Sequence, residues 1–161
     1  MRRDTTSERR VAGFTLLELI LVLGIVAVGA GGVASVLRPS AEMRAAHALR
    51  AQLVAARHEA LLRGQSVGVV RVGDGFVSRV QTGAQSPCLA GSELAHLDVA
   101  DQHAVRVAEA WPSGGLVWLP LGSGRTCAGG GVISSTVILE GRRGRAAVVV
   151  SSLGRVRVER R

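Results

Sequence analysis

The chain has 161 residues, a formal net charge of +8 and a hydrophobic content of 47%. Once the apolar N-terminal stretch is set aside, about 120 residues remain, which suits one small domain and excludes two. All 20 basic residues are arginine, with no lysine, asparagine or tyrosine anywhere; this reads first as coding bias, so no single arginine counts as chosen over lysine, while the net charge still favours anionic partners such as lipid headgroups or nucleic acid.

Residues 1–13 form a charged leader with Arg2, Arg3, Arg9 and Arg10 against Asp4 and Glu8, an excess of positive charge that holds this end in the cytoplasm and sends the C-terminal side across. Behind it, Phe14 to Val36 contains one ionisable side chain, Glu18. As a helix this run is ~34 Å long at ~1.5 Å per residue, enough for a bilayer core of ~30 Å, and residues 14–37 are expected to form a transmembrane helix. An ordinary secretory signal, cut near Gly32-Val33-Ala34, fits less well, because the run exceeds a signal core of ~7 to 15 residues and opens on a carboxylate. A carboxylate within a membrane helix costs ~2.5 to 3.5 kcal/mol at the centre and less near the interface, so such a residue has a partner or only snorkels to the headgroups.

Gly13-Phe14-Thr15-Leu16-Leu17-Glu18 followed by unbroken apolar sequence resembles the prepilin signature of type IV pilins and type II secretion pseudopilins. The resemblance implies cleavage by a prepilin peptidase after Gly13, N-methylation of Phe14, and pairing of Glu18 with the N-terminal ammonium of a neighbouring subunit during filament assembly. Many major pilins carry a proline in this half of the helix, whereas here Gly24, Gly29, Gly31 and Gly32 are the only soft points.

From residue 38 to 64 the pattern becomes amphipathic. Ala46, Leu49, Leu53, Ala56 and Ala60 recur at three- and four-residue steps, with Arg44, Arg50, Arg57 and Glu59 elsewhere on the wheel. Ser40 and Glu42 restart the helix after Pro39, and Gly64 is a C-cap. The expectation is one long helix from Phe14 to about Arg63, bent at Pro39.

Residues 65–161 switch to short β-branched runs. SVGVVRV, GDG and FVSRVQT read as a hairpin, and AVRVAEAW, GLVWLPL, VISSTVILE, RAAVVV and RVRVE as further strands. Thr82 to about His103 and Gly122 to Gly131 read as loops. Cys88 and Cys127 lie in turn-rich segments; a disulfide between them would stabilise the fold by up to ~4 kcal/mol, and two unpaired thiols are the alternative.

This order describes an α+β, pilin-like fold, a long N-terminal helix packed on an antiparallel sheet. ARHEALLRGQSV, LVWLPLGSG and SSLGRVRV narrow the resemblance to the GspH/FimT family of minor pseudopilins. The family implies a non-enzymatic structural subunit of a type II secretion pseudopilus. It would be single-pass in the inner membrane, with a periplasmic C-terminal domain, sit near the filament tip, and have the prepilin peptidase and other major and minor pseudopilins as partners. No cofactor or catalysis is expected. His96, Asp98, Asp101 and His103 match no metal-ligand spacing, His47 and His58 lie three helical turns apart, and GSGRT lacks the lysine and spacing of a phosphate loop.

The C-terminus carries Arg142, Arg143, Arg145, Arg155, Arg157, Arg160 and Arg161 against Glu140 and Glu159. If Ser152-Leu153-Gly154 is a hairpin loop with Gly154 left-handed, Val148 and Val150 share a face with Val156 and Val158, while Arg155 and Arg157 stand on the other. Beside the turn of Arg142, Arg143 and Arg145 they would make a phosphate footprint. Gly154-Arg155-Val156-Arg157 matches the G-R-x-R motif with which FimT-type pilins capture DNA, so a DNA-binding minor type IV pilin is the alternative function. The plainer reading is a solvated edge strand whose charges block sheet-to-sheet aggregation.

Overall fold

The computed structural model describes residues 15–36, 39–81, 88, 90–111, 115–127 and 133–161. The chain divides into two compact units, Met1–Arg38 and Pro39–Arg161.

The first unit holds helix α1, Leu16–Val36. Thr15 opens it, accepting the Glu18 N–H at its carbonyl (3.1 Å) and at its hydroxyl (3.3 Å), so one of the orphan donors of the first turn is satisfied. From Leu16 to Val28 every side chain is exposed on every face. A helix apolar all round has no stable place in water and belongs in a membrane or inside a bundle. Among the described residues no helix is both long and apolar enough to cross a membrane, although the backbone of α1 runs for 21 residues.

The second unit begins with α2, Ala41–Arg63. In place of one bent helix there are two separate ones, because Pro39 and Ser40 leave the helical conformation and Ser40 sits extended at the N-cap. Proline removes a backbone donor and disfavours helix in the residue before it, which breaks the helix at this point. Ala45, Ala46, Leu49, Leu53, Ala56 and Ala60 form the buried stripe, and its small side chains bring the helix close to the sheets. Gly64 ends the helix in the left-handed conformation.

Two antiparallel sheets follow. The first has the order β3-β2-β1-β5-β6, with β1 Val67–Val72, β2 Gly75–Val80, β3 Glu93–Asp98, β5 Gly115–Trp118 and β6 Gly124–Thr126. The second has the order β4-β7-β8-β9, with β4 Arg106–Glu109, β7 Ser135–Gly141, β8 Gly144–Val150 and β9 Val156–Arg160. α2 packs on strands of both. Val69, Phe76, Leu116 and Trp118 from the first sheet and Val137, Leu139, Val148 and Val150 from the second join its stripe in one core. Gln52 ties the helix to the first sheet. Its side-chain amide donates to Phe76 O and Ser78 Oγ at 3.0 Å and to Ala95 O at 3.3 Å, reaching β2 and β3 together.

The outer face of the first sheet is covered too. Val70, Val77 and Cys88 form a second buried cluster there, which is why β1 and β2 read as nearly continuous apolar runs. Cys88 and Gln81 lie so close to β1 that a Cβ on Gly68 would stand 3.1 Å from Cys88 O and 2.7 Å from Gln81 Nε2.

Two expectations need correction. The stretch from Thr82 to His103 is not all loop, since it contains β3 and a short helix α3, Val99–His103, capped by Asp98, whose carboxylate accepts the Asp101 N–H at 2.9 Å. β3 is an edge strand in which only Leu97 is buried, so it shows no alternation. The stretch from Gly122 to Gly131 contains β6, a three-residue edge strand with no fully buried side chain.

Candidate functional site

Gly13 and Phe14, the expected processing residues, lie outside the described residues. Glu18 stands in the first turn of α1, where a negative charge complements the positive end of the helix dipole. Among the described residues it has no ion-pair partner, and every described side chain from Leu16 to Val28 other than its own lacks charge. The arrangement presents a single carboxylate at the start of an apolar rod.

Cys88 and Cys127 are joined by a disulfide, with Cα atoms 5.7 Å apart and a sequence separation of 39. It lies against the outer cluster with Val70 and Val77. Cys88 is thereby tied to the end of β6.

The C-terminal arginines do not form one footprint. β8 pairs with β7 on one side and β9 on the other, so the β7–β8 turn with Arg142 and Arg143 lies at one end of the strand and the β8–β9 turn with Gly154 and Arg155 at the other. The seven residues of β8 separate the two turns by roughly 20 Å at about 3.3 Å per residue. Arg145 stays with the first group, which is joined by Arg160, opposite Ala146, and by Arg161, whose N–H donates to Arg145 O at 3.0 Å. Here Glu140 takes both Arg145, at 2.9 Å, and Arg106. The Arg145 guanidinium first, and Arg106 second, hold the Glu140 carboxyl below the usual carboxylate range.

At the other end, Arg155 and Arg157 meet two helix arginines that the sequence pattern had placed only on the polar side of α2. Arg50 Nε donates to Val156 O at 3.2 Å, and Arg57 Nη1 donates to Gly154 O at 3.2 Å. Arg57 also lies over the Trp118 ring, 5.6 Å from its centroid, within cation–π range. Arg157 is already paired with Glu159 at 2.8 Å. These groups line a cleft of about 630 Å³ between α2 and the β8–β9 turn. The turn is fixed from within, because Gly154 adopts φ +75° and the Ser151 hydroxyl accepts the Arg155 N–H at 3.1 Å. The expected strand faces are present: Val148 opposes Val158, Val150 opposes Val156, and Arg157 opposes Val149. The signal that would have found the helix partners is the stripe of Arg50, Val54, Arg57 and Leu61 at helical spacing along one flank of α2.

The histidine and aspartate candidates have structural places. Asp98 caps α3, and His47 and His58 sit exposed on α2. Among the described residues no group of three or more His, Cys, Asp or Glu is arranged to hold a metal ion.

Comparison with known proteins bears on both units of the chain. Residues 9–34 match the prokaryotic N-terminal methylation motif, and residues 45–154 match the family described as type II transport protein GspH. No curated protein shows significant similarity to the chain. The fold is similar to that of the type IV minor pilin FimU of Pseudomonas aeruginosa, with TM-score 0.56 and 18% identity over 73% of this chain and 87% of that one. It is also similar to the minor pseudopilin EpsH of the Vibrio cholerae type 2 secretion system, with TM-score 0.53 and 15% identity over 74% of this chain and 97% of that one. With an N-terminal methylation motif, a helix followed by an α+β domain of antiparallel sheets, and a family match over most of that domain, the chain belongs to the pilin-like GspH family.

Proposed function

We propose that the chain is a minor pseudopilin of a type II secretion system, a structural subunit without catalytic activity. In this reading it is anchored in the inner membrane by one pass of α1, places the domain 39–161 in the periplasm, and enters a short filament near its tip. The observation that carries the reading is α1, apolar on every described face but for one carboxylate, Glu18, which lies within the methylation motif. Such a helix is stable in a bilayer or in a bundle of like helices, and Glu18 then needs a cation. A neighbour's methylated N-terminus supplies one, since two charges that are each costly in an apolar bundle offset one another when subunits stack in register. The partners are the prepilin peptidase and other pseudopilins.

Intact-mass analysis after expression with and without a prepilin peptidase tests this. The expected product begins at N-methylated Phe14, and a mature N-terminus near Ser35 overturns the reading.

A DNA-binding minor type IV pilin draws on Arg155 and Arg157. Against it stand the separation of those residues from Arg142, Arg143 and Arg145, and the carboxylates already held by Arg145 and Arg157. DNA binding by backbone contact would fall steeply with salt and depend little on base sequence. Salt titration of the wild type and of the double variant Arg155→Gln, Arg157→Gln separates the two readings.

A further inference from the structure

We propose that the cleft between α2 and the β8–β9 turn is a docking site for a protein segment that presents carboxylates beside a large aliphatic side chain. This goes beyond assembly through α1, which requires nothing of this cleft.

The cleft has two kinds of lining, and one class of partner uses both. Its charge is one-sided: Arg50, Arg57 and Arg155 carry no ion pair among the described residues, and Glu159 is engaged by Arg157. Arg50 and Arg57 are already anchored through Val156 O and Gly154 O, so their guanidiniums lose little freedom on receiving a carboxylate. Arg57 stands over Trp118 with its Nε buried and without a hydrogen-bond partner. Planar guanidiniums take carboxylates in paired, charge-assisted hydrogen bonds.

The rim is apolar. Leu153 at the tip of the β8–β9 turn is 77% exposed, and Val54 on α2 is 49% exposed. Next to Arg57 the patch continues through Leu61 to the β5–β6 turn, where Leu121 is 92% exposed; a Cβ added at Gly122 would stand 3.3 Å from Leu61 Cδ2 and 3.4 Å from Arg57 Nε. Large aliphatic side chains gathered around a basic hollow mark a protein interface rather than an ordinary solvated face. Nucleic acid would satisfy the arginines and leave Leu153, Val54 and Leu121 facing phosphates. The described part of this site also offers no exposed aromatic ring on which bases would stack. The charge complementarity therefore points to an acidic protein segment.

The test uses the full mature chain in detergent micelles and three fluorescent probes: a peptide Asp-Glu-Leu-Ser-Glu-Leu, the same peptide with both leucines replaced by serine, and a short DNA duplex. The leucine peptide is expected to bind more tightly than the serine peptide and more tightly than the duplex at physiological salt. The double variant Arg50→Gln, Arg155→Gln is expected to weaken leucine-peptide binding roughly tenfold, as losing charged partners at an interface does. Leu153→Ser lies in an exposed turn where folding is not at stake, and it is expected to weaken the leucine peptide several-fold while leaving serine-peptide and duplex binding unchanged. Equal binding of the two peptides, no effect of Leu153→Ser, or no peptide binding at all overturns the proposal. Tighter duplex binding that depends on Arg50 and Arg155 overturns it in favour of nucleic acid.

Discussion

Gly154 rests against Trp118 so closely that a Cβ at that position would stand 3.0 Å from Cζ3 of the indole. The same residue has φ +75° and accepts a hydrogen bond from Arg57. The glycine of the Gly154-Arg155-Val156-Arg157 segment is thus demanded by packing and backbone geometry, whatever the arginines bind. Gly154→Ala is expected to cost about 1 to 3 kcal/mol, combining left-handed strain with a crowded indole. Thermal unfolding followed by circular dichroism would show a lowered midpoint with unchanged native secondary structure.

Gln52 is the polar rivet of the core. Gln52→Ala leaves Phe76 O, Ser78 Oγ and Ala95 O without their donor in or beside a buried setting, and a destabilisation of about 1 to 3 kcal/mol is expected. Hydrogen exchange should rise first in β3, which borders solvent. A urea midpoint equal to that of wild type would show that water replaces the amide without loss.

Reduction of Cys88–Cys127 unties Cys88, which packs with Val70 and Val77 on the outer face of the first sheet. In the chain-entropy account, closing a loop of this length contributes up to ~4 kcal/mol. The denaturant midpoint should therefore fall on adding reductant, and Cys88→Ser with Cys127→Ser should lower it to a similar value without reductant. Since the covering cluster is separate from the main core, α2 and the second sheet should stay protected longest.

The Arg106–Glu140–Arg145 group makes a pH prediction with a definite sign. The folded carboxyl is held below its unfolded value, first by Arg145. Its contribution is present above the unfolded carboxylate pKa and is lost as pH falls through the lower, folded value. The group faces solvent and the effect is small. The wild type should exceed Glu140→Gln slightly in midpoint at neutral pH, and the difference should vanish in acid and shrink in high salt.

Glu18→Ala tests the assembly role proposed for the carboxylate. Membrane insertion should improve slightly because the charge is costly there. Cleavage after Gly13 should continue, while incorporation into filaments should fall, as measured by shearing and immunoblotting. Normal incorporation would show that the carboxylate only snorkels.

The buried stripe of α2 and the pairing of Val148 and Val150 with Val158 and Val156 were legible in the sequence, because each buries one regular face and the period shows it, and the β1–β2 hairpin was legible because two β-branched runs flank the Gly73-Asp74-Gly75 turn. β3 was hidden because an edge strand with one buried residue has no period to show, and β6 because three residues are too few. The arginines failed differently. Their solvent faces followed from alternation, but their neighbours depend on which end of β8 each turn occupies and on how α2 lies across the sheet. Both are long-range relations. Arg50 and Arg155 are far apart in the chain, and only the packed fold brings them to one cleft.

The chain enters its folded domain at the first turn of α2, the helix that packs on both sheets and is held at its middle by Gln52. Tension applied through Pro39 would therefore load that helix lengthwise and engage its whole buried stripe in shear. A pull on Arg161 at the other terminus would instead peel β9 from β8 one residue pair after another. The domain is mechanically polar, with its stronger attachment at Pro39 and its weaker one at Arg161.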